Sequence, residues 1–230
     1  LSESSLRTSN NDLIAGIRFV LKNNIFIFLI GMSFFISFFG MSYIPLMPVF
    51  TVEVLKVSAS AQGILMGFGG VGSLLSTLVL ARIGNFDRKG LLIVVGAFIF
   101  GGLITTFALT SKEFESYSLA IVLIFLIGVS FSVFWIPIMS SLQIMVPDHM
   151  RGRVMGVFGI TWSIVPLGAI YVGSVAGFIG SPSNGVPIAV AIGGMMIMLF
   201  AMGPALLNKN VRQLGLLLSQ HIRDGESGTD

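Results

Sequence analysis

The sequence predicts an all-α fold, a polytopic membrane protein built as a six-transmembrane-helix bundle. Three observations predict it. Six apolar runs, at residues 25–50, 63–83, 91–110, 119–142, 154–180 and 186–207, fill most of the 230 residues. A helix needs about 20 mostly apolar residues to cross ~30 Å of hydrocarbon, and every run meets that length. No Asp, Glu, Lys or Arg lies inside these limits except Arg82, at the very end of the second run. A charge at the bilayer centre costs about 2.5–3.5 kcal/mol on insertion scales, so such residues are kept out. Hydrophobic residues make up 54% and charged residues 10% of the chain, where a soluble domain carries about 25% charged.

Residues 1–24 read as a cytoplasmic linker. They start with Leu, not Met, and residues 1–10 are polar. The expectation is therefore that this is no signal peptide and that further residues precede it. Leu13, Ile14, Ile17, Val20 and Leu21 recur at helical spacing, with Arg18 and Lys22 on other faces. That pattern predicts a short amphipathic helix on the membrane interface, capped by Asn10, Asn11 or Asp12. Pro45 and Pro48 are expected to bend the outer end of the first span, and Pro137 and Pro166 to act likewise in the fourth and fifth. Gly63 with Gly67 in the second span, and Gly173 with Gly177 in the fifth, form G-x-x-x-G pairs. Such spacing lets helix backbones approach in lipid, so both pairs are expected at close helix contacts. The six spans occupy residues 25–207, and 208–230 form a C-terminal tail.

Orientation follows from charge. Arg7, Arg18, Lys22, Arg82, Arg88, Lys89, Arg151, Arg153, Lys209, Arg212 and Arg223 fall on one side, and only Lys56 and Lys112 on the other. By the positive-inside rule both termini are expected in the cytoplasm. The formal charge of +3 then reflects membrane topology, and nucleic acid is not an expected partner. There is no cysteine, hence no disulfide and no thiolate metal site, and no cofactor is expected.

Two loops on the basic side carry the most specific patterns. Asp87, Arg88, Lys89 and Gly90 lie between spans two and three. Between spans four and five runs Pro147-Asp148-His149-Met150-Arg151-Gly152-Arg153-Val154-Met155-Gly156. Pro147 ends the fourth helix, Asp148 is expected to cap the next, favoured by its dipole, and Arg151 and Arg153 sit where they reach phosphates or carboxylates.

With these loops the chain resembles the major facilitator superfamily, in the branch that includes the enterobactin exporter and the macrolide efflux permeases. The P-D-x-x-R-G-R-V-x-G segment at residues 147–156, followed by Pro166, Leu167, Gly168 and Gly173, is similar to that branch's signature around its eleventh helix. The 87–90 loop is similar to the second, degenerate copy of the superfamily's loop motif, with Leu91 and Leu92 in place of a basic pair. The resemblance implies the C-terminal half of a twelve-span secondary transporter, with an N-terminal six-span half as partner. It implies a latch role for Asp87 and gate roles for Arg88, Asp148, Arg151, Gly152 and Arg153. It also implies that spans one, two, four and five face a central cavity, while three and six face lipid. Phe39, Tyr43, Ser132, Trp135, Gln143, Trp162 and Ser163 are then the candidate cavity residues, and their Trp and Tyr rings suit a small amphipathic substrate. Tyr43, near a span end, also reads as an interface anchor, and Phe34, Phe35, Phe38 and Phe39 as packing or lipid contacts.

An enzyme is not expected. Ser73 after Gly72 has no base within the membrane, because His149 and His221 lie outside the runs. Neither an H-E-x-x-H helix nor paired N-P-A loops occur. The remaining alternative is a stand-alone six-span scaffold or a homodimeric half-transporter. The location expected on either reading is a bacterial inner membrane.

Overall fold

The structure, a computed structural model, describes residues 14–84 and 89–207. A short helix α1 covers residues 14–21. Six longer ones follow: α2 Asn24–Val54, α3 Ala59–Ile83, α4 Lys89–Phe114, α5 Tyr117–Met145, α6 Asp148–Ile179 and α7 Pro182–Leu207. Each of α2 to α7 is long and apolar enough to cross a membrane. No strand occurs among the described residues.

Local chemistry sets the ends of these helices. The Asn23 side chain accepts from the Ile25 N–H at 3.4 Å to start α2. Gly84 ends α3 with φ 72, and its N–H bonds the Leu80 carbonyl; such a left-handed cap suits glycine. Ser116 caps α5 by accepting from the Leu119 N–H. Val146 turns extended ahead of Pro147, as the residue before a proline must. The gap left between the fifth and sixth apolar runs, 181–185, is mostly helical, because Pro182 opens α7, a helix position that needs no N–H donor.

Two spans are broken. In α2 the α-helix ends at Phe35, gives way to a π-turn over Ile36–Gly40, and tightens to a 3₁₀ turn at Met41–Tyr43. Pro45 has no N–H to give the Met41 carbonyl, which takes the Ile44 N–H at 3.1 Å instead. In α6 the first half stops at Trp162, and a second half starts at Val165 with Pro166 in its first turn.

The core is built around α4, which packs against both α5 and α7; α3 joins through α5, and α2 through α7 and the second half of α6. Glycine permits the closest crossings. A Cβ on Gly128 of α5 would strike the Gly69 carbonyl of α3, and one on Gly168 of α6 would strike the Phe38 carbonyl of α2. Thr105 of α4 reaches across to the Ala191 carbonyl of α7 at 3.3 Å. The two G-x-x-x-G pairs take no part in this. A Cβ on Gly63, Gly67, Gly173 or Gly177 would meet nothing within 4 Å. The spacing marks smooth helix faces, but these faces point away from the rest of the chain.

Burial follows the same division. In α3 and α6 only 17% and 22% of the most apolar stretch is buried, against at least 50% in α2, α4 and α7. Helix α1 lies against the start of α6: Gly16 sits so close to Arg153 that a Cβ would come 2.8 Å from its carbonyl oxygen. Val20 is buried there, while Ile14, Ile17 and Leu21 face outward.

A candidate binding cavity at mid-membrane height

A cavity of ≈ 260 Å³ opens between α2, α3 and α5, with Phe100 of α4 and Trp162 of α6 completing its wall. Its lining comes from the middle of the spans. Gly69, Gly70 and Ser73 lie near the centre of α3, and Gly128 and Phe131 near the centre of α5. Phe100 and Trp162 are likewise central in α4 and α6. Tyr43 is eleven residues before the end of α2, about 16 Å along a regular helix. The glycines act in two ways here: Gly69 and Gly128 let α3 and α5 cross closely, and a Cβ on Gly70 would meet nothing within 4 Å.

The lining is apolar and aromatic, with Met41, Ile44, Met66, Ile124 and Ile127 filling in between the rings. No charged side chain contributes to it. Two hydroxyls do. Ser73 donates to the Gly70 carbonyl at 2.9 Å. The Tyr43 hydroxyl has no hydrogen-bond partner among the described residues, although Tyr43 is only 6% exposed. Its ring packs on Phe107 at 6.3 Å. Tyr43 is thus a buried lining residue and not an anchor at the membrane surface; the span runs on to Val54, which moves Tyr43 inward.

Of the residues singled out from sequence, Tyr43 and Trp162 line this cavity. Trp135 lies one layer behind, with ring centroids 5.4 Å from Phe131, 5.2 Å from Phe158 and 5.1 Å from Trp162. Ser132 is buried between helices, donating to the Ser73 carbonyl at 3.0 Å. Phe39 packs against Phe35, Phe38 and Tyr171, and Phe35 stacks on Phe200 at 3.9 Å. Gln143 and Ser163 are exposed. Asp148 is the first residue of α6 and pairs with Arg151 at 2.7 Å; Pro147 holds the capping position without a side-chain bond. Gly152 and Arg153 are exposed beside them, and Arg153 reaches the Met150 sulfur at 3.6 Å. Asp87 and Arg88 lie outside the described residues, as does the 208–230 tail.

A search for aromatic and polar residues passes over Met41, Met66, Phe100 and Gly128. One signal was available: the glycine cluster at Gly69, Gly70 and Gly72 in the second run, matched by Gly128 at the same depth in the fourth.

Comparison with known proteins adds the family. The chain is 29% identical over 133 residues to the Staphyloferrin A transporter of Staphylococcus aureus (strain NCTC 8325 / PS 47). That alignment covers 57% of this chain and 32% of the relative, so the chain spans about a third of that protein's length. No solved structure matches. The model of the Major Facilitator Superfamily matches residues 2–169, well over half of the chain. Six apolar helices, five of them lining a cavity near the middle of their length, together with that match, place the chain in the major facilitator superfamily of membrane transporters.

Proposed function

We propose that these six spans are the C-terminal half of a secondary active transporter that exports small amphipathic molecules by alternating access. The observation that carries this reading is the cavity's place: mid-height, apolar, and bordered by the two least buried helices. Transporters of repeat construction hold substrate near the midplane where their halves meet. The open glycine faces of α3 and α6 support a second six-span unit as the occupant of that side. In lipid, helices associate through close packing of small residues, and here a Cβ on those residues would meet nothing within 4 Å among the described residues.

The direction rests on the resemblance of residues 147–156 to the exporter branch. The basic loops are assigned to the cytoplasm of a bacterial inner membrane, with both termini on that side. Asp87 is assigned the latch that holds the cytoplasmic ends together, its partner lying in the other half. Asp87→Asn then slows transport while membrane insertion stays normal; unchanged turnover removes the latch.

Cells expressing the full-length gene product and loaded with a fluorescent amphiphile are expected to lose it faster than vector controls. Collapse of the proton gradient tells whether protons drive the loss. Equal loss rates across a chemically varied panel, with the protein shown to be in the membrane, would defeat the export reading.

A further inference from the structure

We infer that Tyr43 is the hydroxyl anchor of the cavity, and that the cavity takes a neutral, mainly apolar molecule carrying a hydrogen-bonding group that meets it. The inference rests on the transporter reading only for its purpose; the binding site stands on geometry alone.

Three observations carry it. Tyr43 is 6% exposed and lines the cavity, and its hydroxyl has no partner among the described residues. Buried hydroxyls are nearly always hydrogen-bonded, and one left open beside a cavity points to a partner that enters it. Secondly, the other lining hydroxyl, on Ser73, spends its proton on the Gly70 carbonyl, so Tyr43 is the free hydroxyl donor, beside the indole N–H of Trp162. Thirdly, among the described residues no Asp, Glu, Lys, Arg or His lines the cavity. An ionised ligand group would enter with nothing to balance its lost hydration.

Phe100 and Phe131 do not offer a cation site in place of charge. Phe131 is stacked against Trp135, with 17° between the ring planes, and Phe100 is packed on Phe131 and Phe134. Those ring faces are engaged with other rings, which leaves Phe100 and Phe131 as apolar wall. Met41 and Met66 add adaptable thioether surface, which tolerates ligands of varied outline. The selectivity that remains is a hydrogen bond to the Tyr43 hydroxyl in a pliable apolar space. A phenolic hydroxyl both donates and accepts, so the matching group is a carbonyl, an amide, an ether or a hydroxyl.

Benzophenone is a suitable probe. It is neutral, has one carbonyl, and on illumination adds to nearby C–H bonds, so it reports where it sits. Full-length protein in lipid nanodiscs is expected to be labelled saturably at Met41 or Met66. Tyr43→Phe, which removes only the oxygen, should raise the half-saturating concentration about tenfold, the worth of one neutral hydrogen bond. Diphenylmethane, which lacks the carbonyl, should compete about tenfold more weakly than unlabelled benzophenone in the wild type, and equally in Tyr43→Phe. The wild-type comparison stands even where the variant folds poorly. Benzophenone-4-carboxylate and a quaternary ammonium benzophenone should not label the cavity saturably.

Equal saturation of wild type and Tyr43→Phe, labelling confined to other sites, or saturable cavity labelling by either charged probe overturns the inference. Tyr43-dependent labelling without any efflux in cells leaves the site standing and removes the transporter reading. Efflux without Tyr43-dependent labelling does the reverse.

Discussion

Lys56 places its ammonium 2.6 and 2.8 Å from the two carboxylate oxygens of Glu115, joining the α2–α3 turn to the α4–α5 turn across 59 residues of sequence. Both residues have positive φ, 55° at Lys56 and 46° at Glu115. Among the described non-glycine residues only these two do. Each turn thus takes a left-handed bend at the residue that reaches the other turn. Both side chains are about half exposed or more, which limits the pair to about 0.2–1 kcal/mol. A double-mutant cycle with Lys56→Ala and Glu115→Ala is expected to give a coupling in that range and to lose it in molar salt. The exchange Lys56→Glu with Glu115→Lys should recover what either single reversal loses. A salt-independent coupling above about 2 kcal/mol would mean the pair is far better shielded than its exposure indicates.

The glycines divide into two classes that should respond oppositely to a methyl group. Gly128→Ala pushes a Cβ into the Gly69 backbone, and Gly168→Ala pushes one into Phe38. Backbone cannot swing aside as a side-chain tip does, so each is expected to cost about 1–3 kcal/mol. Gly67→Ala and Gly173→Ala meet open space and should leave unfolding in detergent unchanged. Larger groups tell more. Gly67→Leu should leave the six-span unit folded yet abolish transport by the full-length protein, if α3 lies against a second half. Transport that survives Gly67→Leu at wild-type rate would place the partner elsewhere.

The break in α6 is tied to α2 by a buried hydroxyl pair, Ser33 to Thr161 at 2.8 Å. Thr161 also donates to the Phe158 carbonyl at 2.7 Å, which uses its proton and makes Ser33 the donor of the pair. The bond sits one residue before the first half of α6 ends at Trp162. Ser33→Ala and Thr161→Val are each expected to cost about 0.6 kcal/mol, with ~1.7 as the ceiling for such bonds in membrane helices. Because one bond is lost either way, the double variant should cost no more than the dearer single one. Additive losses, measured by unfolding in a mild detergent, would show that the two hydroxyls act separately.

The six spans were legible because hydropathy is a sum over about 20 neighbouring residues and needs no knowledge of partners. The span boundaries were less so. Charge marks an end only where it occurs close to one, and Glu53 lies inside the last turn of α2, so the run seemed to stop at Phe50. Those few residues decided whether Tyr43 read as a surface anchor or a buried lining group. Helix contacts were legible only as potential. G-x-x-x-G states that a face is smooth, whereas the crossing of Gly69 with Gly128 depends on residues 59 apart. The cavity wall was hardest of all. In a chain that is 54% hydrophobic, Met41 and Met66 have no contrast with the apolar residues that merely pack or face lipid.

The two tryptophans of the chain both belong to this site, one lining it and one behind. Trp162 is 41% exposed, so Trp162→Ala removes wall with little loss of packing. It should change which compounds are exported and leave unfolding nearly untouched. Trp135 is held among Phe131, Phe158 and Trp162. Trp135→Ala deletes that support and is expected to cost about 3 kcal/mol, the low end for a large aromatic because the ring is only half buried. It should also alter the export spectrum, but indirectly, by letting Phe131 and Trp162 relax into the space. Trp135→Phe keeps an aromatic ring there and should restore most of both properties. With Trp135 replaced by Phe, Trp162 is the one tryptophan left in these 230 residues, so in a full-length protein otherwise stripped of tryptophan its fluorescence reports the cavity wall alone. Quenching by a bound ligand is then expected to follow the same concentration dependence as labelling. A spectrum altered more by Trp135→Ala than by Trp162→Ala would mean that the inner layer, not the lining, sets what the cavity accepts.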